Sequence, residues 1–179
     1  MNEIVTLPKE QLERQLSYAG FVMLAFELAK SLIVEPIRFF YSDSTFGEGM
    51  PFTTYERDVK ARHRNEFEAC LLYLRDFMQA IDSDDFLAIQ GLRKHRNDLA
   101  HDFVGRIDCL KIEDYIPLFE KVDKAVFKLS NYTTYVEIGA NPKFQDKGIN
   151  WDTVYGREYM IFREVIEKLH LLQEHRSDA

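Results

Sequence analysis

Apolar residues recur at intervals of three and four along most of the chain, which is the period of an amphipathic α-helix. The positions that define these runs are Phe67, Cys70, Leu71, Leu74, Phe77, Met78 and Ile81, then Ile116, Phe119, Val122, Val126 and Leu129, and then Val154, Ile161, Val165, Leu169 and Leu172. A short alternating run at 132–138 has no second strand to pair with. The pattern therefore predicts an all-α fold.

Capping residues and loop-forming residues divide the chain into about five helices. Their predicted bounds are 9–41, 54–81, 84–104, 113–135 and 153–174. Pro8 suits a first helical turn, Thr54 suits an N-cap, and the acids that begin at Asp82 suit the start of a helix. The glycines and prolines of 42–51 and 139–148 predict loops, and Pro36 predicts a bend. The expected architecture is an up-and-down helical bundle that forms a single domain over 1–179.

The composition is that of one globular domain. The chain has 179 residues, of which 46% are hydrophobic and 30% charged, with a formal net charge of −7. This balance disfavours disorder, and it means that any contact with nucleic acid must come from a local patch. The most apolar stretch, 18–34, contains Glu27 and Lys30, so we interpret it as a buried helix and expect no membrane association.

The cysteines suggest no metal site. Cys70 and Cys109 have no CxxC spacing, and no phosphate-binding loop or nucleophile elbow is present. We therefore expect neither a metal nor a cofactor, and a reducing cytoplasm is the simplest compartment.

The third predicted helix carries an arginine on its apolar stripe. Arg96 lies four residues after Leu92 and three before Leu99. A guanidinium on such a stripe needs a partner. One interpretation is a buried ion pair with Glu27 of the first helix. The other is that the stripe is partly a subunit interface or cleft, where Arg96 binds a phosphate with two hydrogen bonds.

Polar residues follow one side of the same helix. Arg93, Asn97 and His101 are spaced by four, so Asn97 could hold a ring nitrogen of His101. At 100° per residue, however, Arg96 and His101 point about 140° apart. Their convergence requires a helix break near Ala100 or a second copy across a two-fold axis.

The segment Arg96-Asn97-Asp98-Leu99-Ala100-His101 resembles the R-X4-6-H motif of the HEPN superfamily. The resemblance includes the polar residue after the arginine, the small residue before the histidine and the late helix of a small all-α bundle. It implies that Arg96 and His101 are catalytic and that Asn97 supports them. HEPN proteins are typically homodimers, and many are metal-independent endoribonucleases that act as toxins, in phage defence or in RNA processing.

The implied chemistry suits these side chains. Histidine can take the proton of the RNA 2′-hydroxyl or protonate the leaving 5′-oxygen, and arginine can stabilise the charged transition state. One histidine cannot readily be both acid and base in the same step, so a dimer with two copies of His101 is favoured. The expected product has a 2′,3′-cyclic phosphate end.

Two segments offer local positive charge for an RNA partner. Segment 91–106 has four basic and two acidic residues, with Arg93 and Lys94 as candidate substrate-binding residues. Segment 56–64 has the same balance, but such a run is more often a solvated helix face. It also contains a second R-X4-6-H match, Arg57 to His63, which lies among charged residues at the start of a helix.

The resemblance leaves three functional interpretations open. The first is an active endoribonuclease, and the second is a non-catalytic HEPN-like binding or assembly module. The third is the toxin of a two-gene module, which would have an antitoxin or regulatory protein as partner. Related toxins neutralised by nucleotide transfer commonly carry a tyrosine two places after the histidine. Phe103 occupies that position here, which disfavours that form of neutralisation.

Overall fold

The structure is a computed structural model that describes residues 7–139, 141–145 and 147–174. The remaining residues of the predicted 1–179 domain lie outside this description. The α-helices are α1 Lys9–Asp43, α2 Tyr55–Asp58, α3 Glu66–Asp76, α4 Ser83–Arg106, α5 Ile116–Thr134, α6 Pro142–Gln145 and α7 Arg157–Glu174. No strand occurs in these ranges, so the all-α prediction is confirmed there, with five long helices and two four-residue helices.

The second predicted helix is wrong as a continuous element. Thr54 does cap α2, since its side chain accepts a hydrogen bond from the Arg57 amide at 3.2 Å. The helix then ends at Asp58, and a 3₁₀ turn at Lys60–Arg62 leads to α3. His63 has an extended backbone and its Nδ1 accepts from the Asn65 amide at 3.0 Å, while Asn65 caps α3. Side chains satisfy these backbone donors, which replaces part of the hydrogen bonding that the helix would have provided.

Smaller differences occur at other helix ends. Pro8 is the N-cap of α1 and not a first-turn residue. The fourth and fifth predicted helices each begin later than expected, because the 3₁₀ turns Ile112–Tyr115 and Trp151–Thr153 precede α5 and α7. Residues Tyr135–Gly139 extend α5 as a π-helical turn, and α6 forms within the predicted loop 139–148.

Helix α1 is the centre of the bundle and contacts α3, α4, α5 and α7. Its buried residues include Tyr18, Val22 and Ile33, which pack against fully buried side chains of the surrounding helices. By length and composition alone, α1 is long and apolar enough to cross a membrane. Half of its most apolar window is buried inside the bundle.

Candidate active site on helix α4

Helix α4 begins with the expected acidic cap and carries the whole R-X4-6-H motif. The Asp82 carboxylate accepts from the amides of Asp84 and Asp85, each at 2.9 Å, and Asp85 accepts in return from the Asp82 amide at 3.1 Å. Lys128 of α5 donates to both carboxylates, and this hydrogen bond lowers the pKa of Asp82 to about 2. The start of α4 is therefore fixed by a capping box and by α5.

Arg96 contacts α1 at the edge of the bundle. Its Nη2 lies 3.3 Å from Glu27 Oε1, and its guanidinium carbon lies 5.0 Å from the centre of the Phe26 ring. The predicted partner Glu27 is thus confirmed. The predicted burial is wrong, since the Arg96 side chain is 32% exposed and that of Glu27 is 50% exposed. The ion pair lies at the surface, where both charges keep part of their hydration.

Asn97 supports Arg96 instead of His101. Its Oδ1 accepts a hydrogen bond from Arg96 Nη1 at 3.1 Å. Within the described ranges no hydrogen bond joins Asn97 to His101, so that expected contact is absent. The Arg96 Nε is buried and makes no hydrogen bond within the described residues.

His101 is exposed on a different side of α4. The only non-helical residue within α4 is Asp102, with φ −139° and ψ 34°. This break follows His101, so it does not turn the imidazole towards Arg96. A helix break near Ala100, one of the two arrangements that would bring Arg96 and His101 together, is therefore absent from the motif, and the break comes at Asp102. In a single chain Arg96 and His101 stay on separate faces of the helix.

Arg93 and Lys94, the two predicted substrate-binding residues, differ in whether the chain already pairs their charge. Arg93 forms a close ion pair with Glu68 of α3, and its guanidinium lies 5.5 Å from the centre of the Phe67 ring. Lys94 is exposed and has no ion pair or hydrogen bond within the part of the chain that the structure describes. Lys94 is thus the freer of the two cations.

The basic residues of segment 56–64 are either bound to neighbouring groups of the same chain or exposed to solvent. Arg62 lies 5.4 Å from the centre of the Tyr73 ring, and its Nε donates to the Asp58 carbonyl at 2.7 Å. Lys60 and Arg57 are exposed, as the interpretation of a solvated face expects. His63 of the second R-X4-6-H match is exposed and accepts the Asn65 amide, which gives it a local structural contact.

His95 is a buried residue that the sequence reasoning missed. It is 3% exposed, its Nε2 lies 2.7 Å from the Tyr18 hydroxyl, and its ring stacks on Tyr115 at 3.6 Å. Burial lowers the pKa of His95 to about 4, so the ring is neutral, and its Nε2 and the Tyr18 hydroxyl share one hydrogen bond. The spacing of His95 indicates its burial, because it lies three residues after Leu92 and four before Leu99, on the apolar face of the helix.

Exposed apolar residues flank the Arg96–Glu27 pair. Helices α1 and α4 run antiparallel, since Gln15 contacts the Leu110 carbonyl beyond the end of α4 while Glu27 contacts Arg96. On α1 the exposed stripe comprises Leu16, Gly20 and Leu24, spaced by four, and on α4 it comprises Ala100 and Val104. Val104 is 87% exposed. Such an apolar border is typical of a surface that another molecule covers.

Comparison of the chain with known protein families, with curated proteins and with solved structures finds no match.

The exposure of Arg96 predicts a small role in stability. Arg96→Ala removes a surface ion pair and a partly exposed cation–π contact, so the free energy of unfolding should fall by about 1 kcal/mol. Urea denaturation measures this change, with Arg163→Ala as the control because Arg163 forms a surface pair with Glu167 at 3.3 Å. A loss of about 3 kcal/mol or more would contradict a surface position and support a structural guanidinium.

Proposed function

We propose that the protein is a HEPN-type, metal-independent endoribonuclease that acts as a homodimer, with Arg96, Asn97 and His101 in its active site. The observation that carries the proposal is the state of Arg96. A guanidinium on the core-facing side of α4 is held by Asn97 and Glu27, yet it remains one-third exposed beside an apolar surface. An arginine so oriented is prepared to bind a phosphate.

The proposed chemistry assigns one task to each side chain. Arg96 binds the scissile phosphate in place of Glu27 and stabilises the negative charge that develops on its oxygens. Asn97 keeps the guanidinium oriented through its Oδ1. His101, which is solvent-accessible, takes the 2′-hydroxyl proton or protonates the leaving 5′-oxygen. The 2′-oxygen attacks the phosphorus and the bond from phosphorus to the 5′-oxygen breaks, which leaves a 2′,3′-cyclic phosphate and a 5′-hydroxyl end. Lys94 binds a flanking phosphate, whereas Arg93 stays paired with Glu68.

In the proposed dimer, a second copy of the chain brings His101 and Arg96 of the two subunits to the same phosphate. Because Arg96 and His101 lie on separate faces of one α4, a single chain does not place both on one phosphate. A two-fold axis close to the exposed stripes of α1 and α4 would cover Leu24 and Val104 and bring two motifs together. The cleft would then contain two copies of His101, one for each proton transfer.

The proposed setting is a cytoplasmic toxin or phage-defence system with an antitoxin or regulatory protein as partner. An acidic chain that cleaves RNA through a local site binds RNA weakly outside that site. Phe103 lies two residues after His101, so control by nucleotide transfer to a tyrosine at that place is not proposed. The gene beside this one provides a direct check, since an adjacent antitoxin frame would support the setting.

The second candidate is a non-catalytic binding or assembly module. The observation that favours it is the pairing of both arginines, Arg96 with Glu27 and Arg93 with Glu68. In that case Arg96 orders the subunit interface, and His101 is a surface residue without a chemical role.

The first test of the proposal is RNA cleavage in the presence of EDTA. Wild type should cleave single-stranded RNA and leave 2′,3′-cyclic phosphate ends, while His101→Ala and Arg96→Ala should each be slower by about 100-fold or more. Arg163→Ala is the matched surface control and should cleave like wild type. All variants should first be shown to have the same fold and oligomeric state.

Three outcomes would contradict the nuclease proposal. Equal cleavage by all variants would place the activity outside this motif. Cleavage of a substrate that has 2′-deoxyribose at the scissile position would exclude attack by the 2′-hydroxyl. Absence of cleavage on a broad RNA pool, with folded dimers present, would favour the binding module.

A further inference from the structure

A cavity of about 400 Å³ lies away from the α4 motif, between the C-terminal half of α1, α3 and the end of α5. This volume is within the range of small-molecule sites. None of Arg96, Asn97 and His101 lines it. The cavity is therefore separate from the proposed nuclease site.

Aromatic and aliphatic side chains form the wall of this cavity. Tyr73 and Tyr132 lie on its helical side, and Phe52 comes from the loop between α1 and α2. The loop is held in place: Phe52 packs edge-on against Phe40 at 4.9 Å, and the Thr53 amide donates to Asp58 at 2.6 Å. The wall is thus preorganised. The loop between α1 and α2 closes one side of the cavity.

The cavity opens next to carboxylates. Asp43 and Glu137 lie at its edge. A neighbouring cavity of about 260 Å³ shares Phe39 and Glu137 with it and adds Glu35 and Glu158. Glu35 is paired with Arg38 at 3.2 Å, whereas Asp43, Glu137 and Glu158 form no ion pair within the described residues. No lysine, arginine or histidine is among the described residues that line either cavity, so an anionic ligand such as a fatty acid or a phosphate would meet no cationic lining residue.

We infer that this pair of cavities is a binding site for a small amphipathic cation, an alkyl or aryl ammonium compound. Its apolar body enters the aromatic cavity, where burial of its surface supplies most of the binding free energy. Its ammonium group lies between Glu137 and the aromatic rim, where carboxylates and ring faces both attract a cation. Neither element of this site depends on the nuclease proposal.

Three probes with the same apolar body test the inference on the full chain. Octylammonium, octanol and nonanoate share an eight-carbon alkyl chain and carry a cationic, a neutral and an anionic head group, and isothermal titration calorimetry at neutral pH gives their dissociation constants. Octylammonium should bind most tightly, about tenfold or more tighter than nonanoate, which is about 1.4 kcal/mol. Octanol should lie between them.

Two variants locate the binding. Glu137→Gln should weaken octylammonium by about threefold or more and leave octanol unchanged, while Glu120→Gln, an exposed change on the same helix α5, should alter neither. Val136→Trp fills the cavity from a position that is 47% exposed, so it should abolish binding of all three probes without unfolding the protein.

Distinct results would overturn the inference. Equal affinity for octylammonium and nonanoate would show that the carboxylates do not contribute to binding. Unchanged binding in Val136→Trp, with its fold verified by circular dichroism, would place the probes elsewhere. No detectable binding of any probe at millimolar concentration would show that the cavity is not a ligand site for this class.

Discussion

Loss of His101 from only one subunit of the proposed dimer is expected to reduce RNA cleavage by about 100-fold or more, and not by half. The reason is that one imidazole cannot both accept the 2′-hydroxyl proton and donate to the 5′-oxygen in the same step. If both protons move in a single shared cleft, one missing His101 disables the whole dimer.

The geometry of α4 makes this prediction specific. Residues 96–101 are regular helix and the break comes at Asp102, so the chain itself does not bring Arg96 and His101 together. Two independent sites, each formed within one chain, would need a convergence that the helix does not provide. A shared cleft across a two-fold axis needs only that the exposed faces of α1 and α4 meet.

The measurement uses mixed dimers. Wild-type chains and His101→Ala chains with different affinity tags are co-expressed, and the mixed dimer is isolated by two successive purifications. A mixed dimer of wild type and Arg163→Ala is the control and should cleave like wild type. Half of the wild-type rate in the His101 mixed dimer would show two independent sites and exclude the two-histidine mechanism.

The starts of α2 and α4 were predictable because their caps are local sequence features. Asp82 and Asp85 form the capping box of α4, and Thr54 caps α2, because each contact joins residues three apart in the chain. The break between Asp58 and Asn65 was not predictable from periodicity. It depends on His63 and Asn65 side chains that replace helical hydrogen bonds, and the apolar spacing of α3 continues the same pattern from a new start.

The sequence identified the residues of the candidate site, but it did not predict the directions in which their side chains point. A lone acid and a lone arginine on two apolar helix faces identified Glu27 as the partner of Arg96. The exposure of Glu27 and Arg96 depends on the orientation of α1 and α4 about their own axes when the two helices pack together. A helical wheel describes one helix alone, so it does not predict that orientation. The same rotation turns His95 into the core.

Burial of His95 predicts a strong loss of stability in mild acid. Its pKa is lowered to about 4, first by burial and further by Arg106, while Asp98 opposes this effect. Above pH 6.5 the ring is neutral in the folded and the unfolded chain, so it causes no pH dependence. Between pH 6.5 and 4 only the unfolded chain takes up the proton, and the free energy of unfolding falls by about 3 kcal/mol.

His95→Gln tests this expectation, because glutamine can still accept the Tyr18 hydroxyl but does not titrate. Urea denaturation at a fixed protein concentration gives the free energy of unfolding at pH 7, 6, 5 and 4. At pH 7 the variant should be less stable, since it loses the stacking on Tyr115. On acidification wild type should lose about 3 kcal/mol more than His95→Gln, and His63→Gln, which changes an exposed histidine, should follow wild type. Parallel curves for wild type and His95→Gln would show that the ring takes up its proton in the folded state, and the buried contact with Tyr18 would then be wrong.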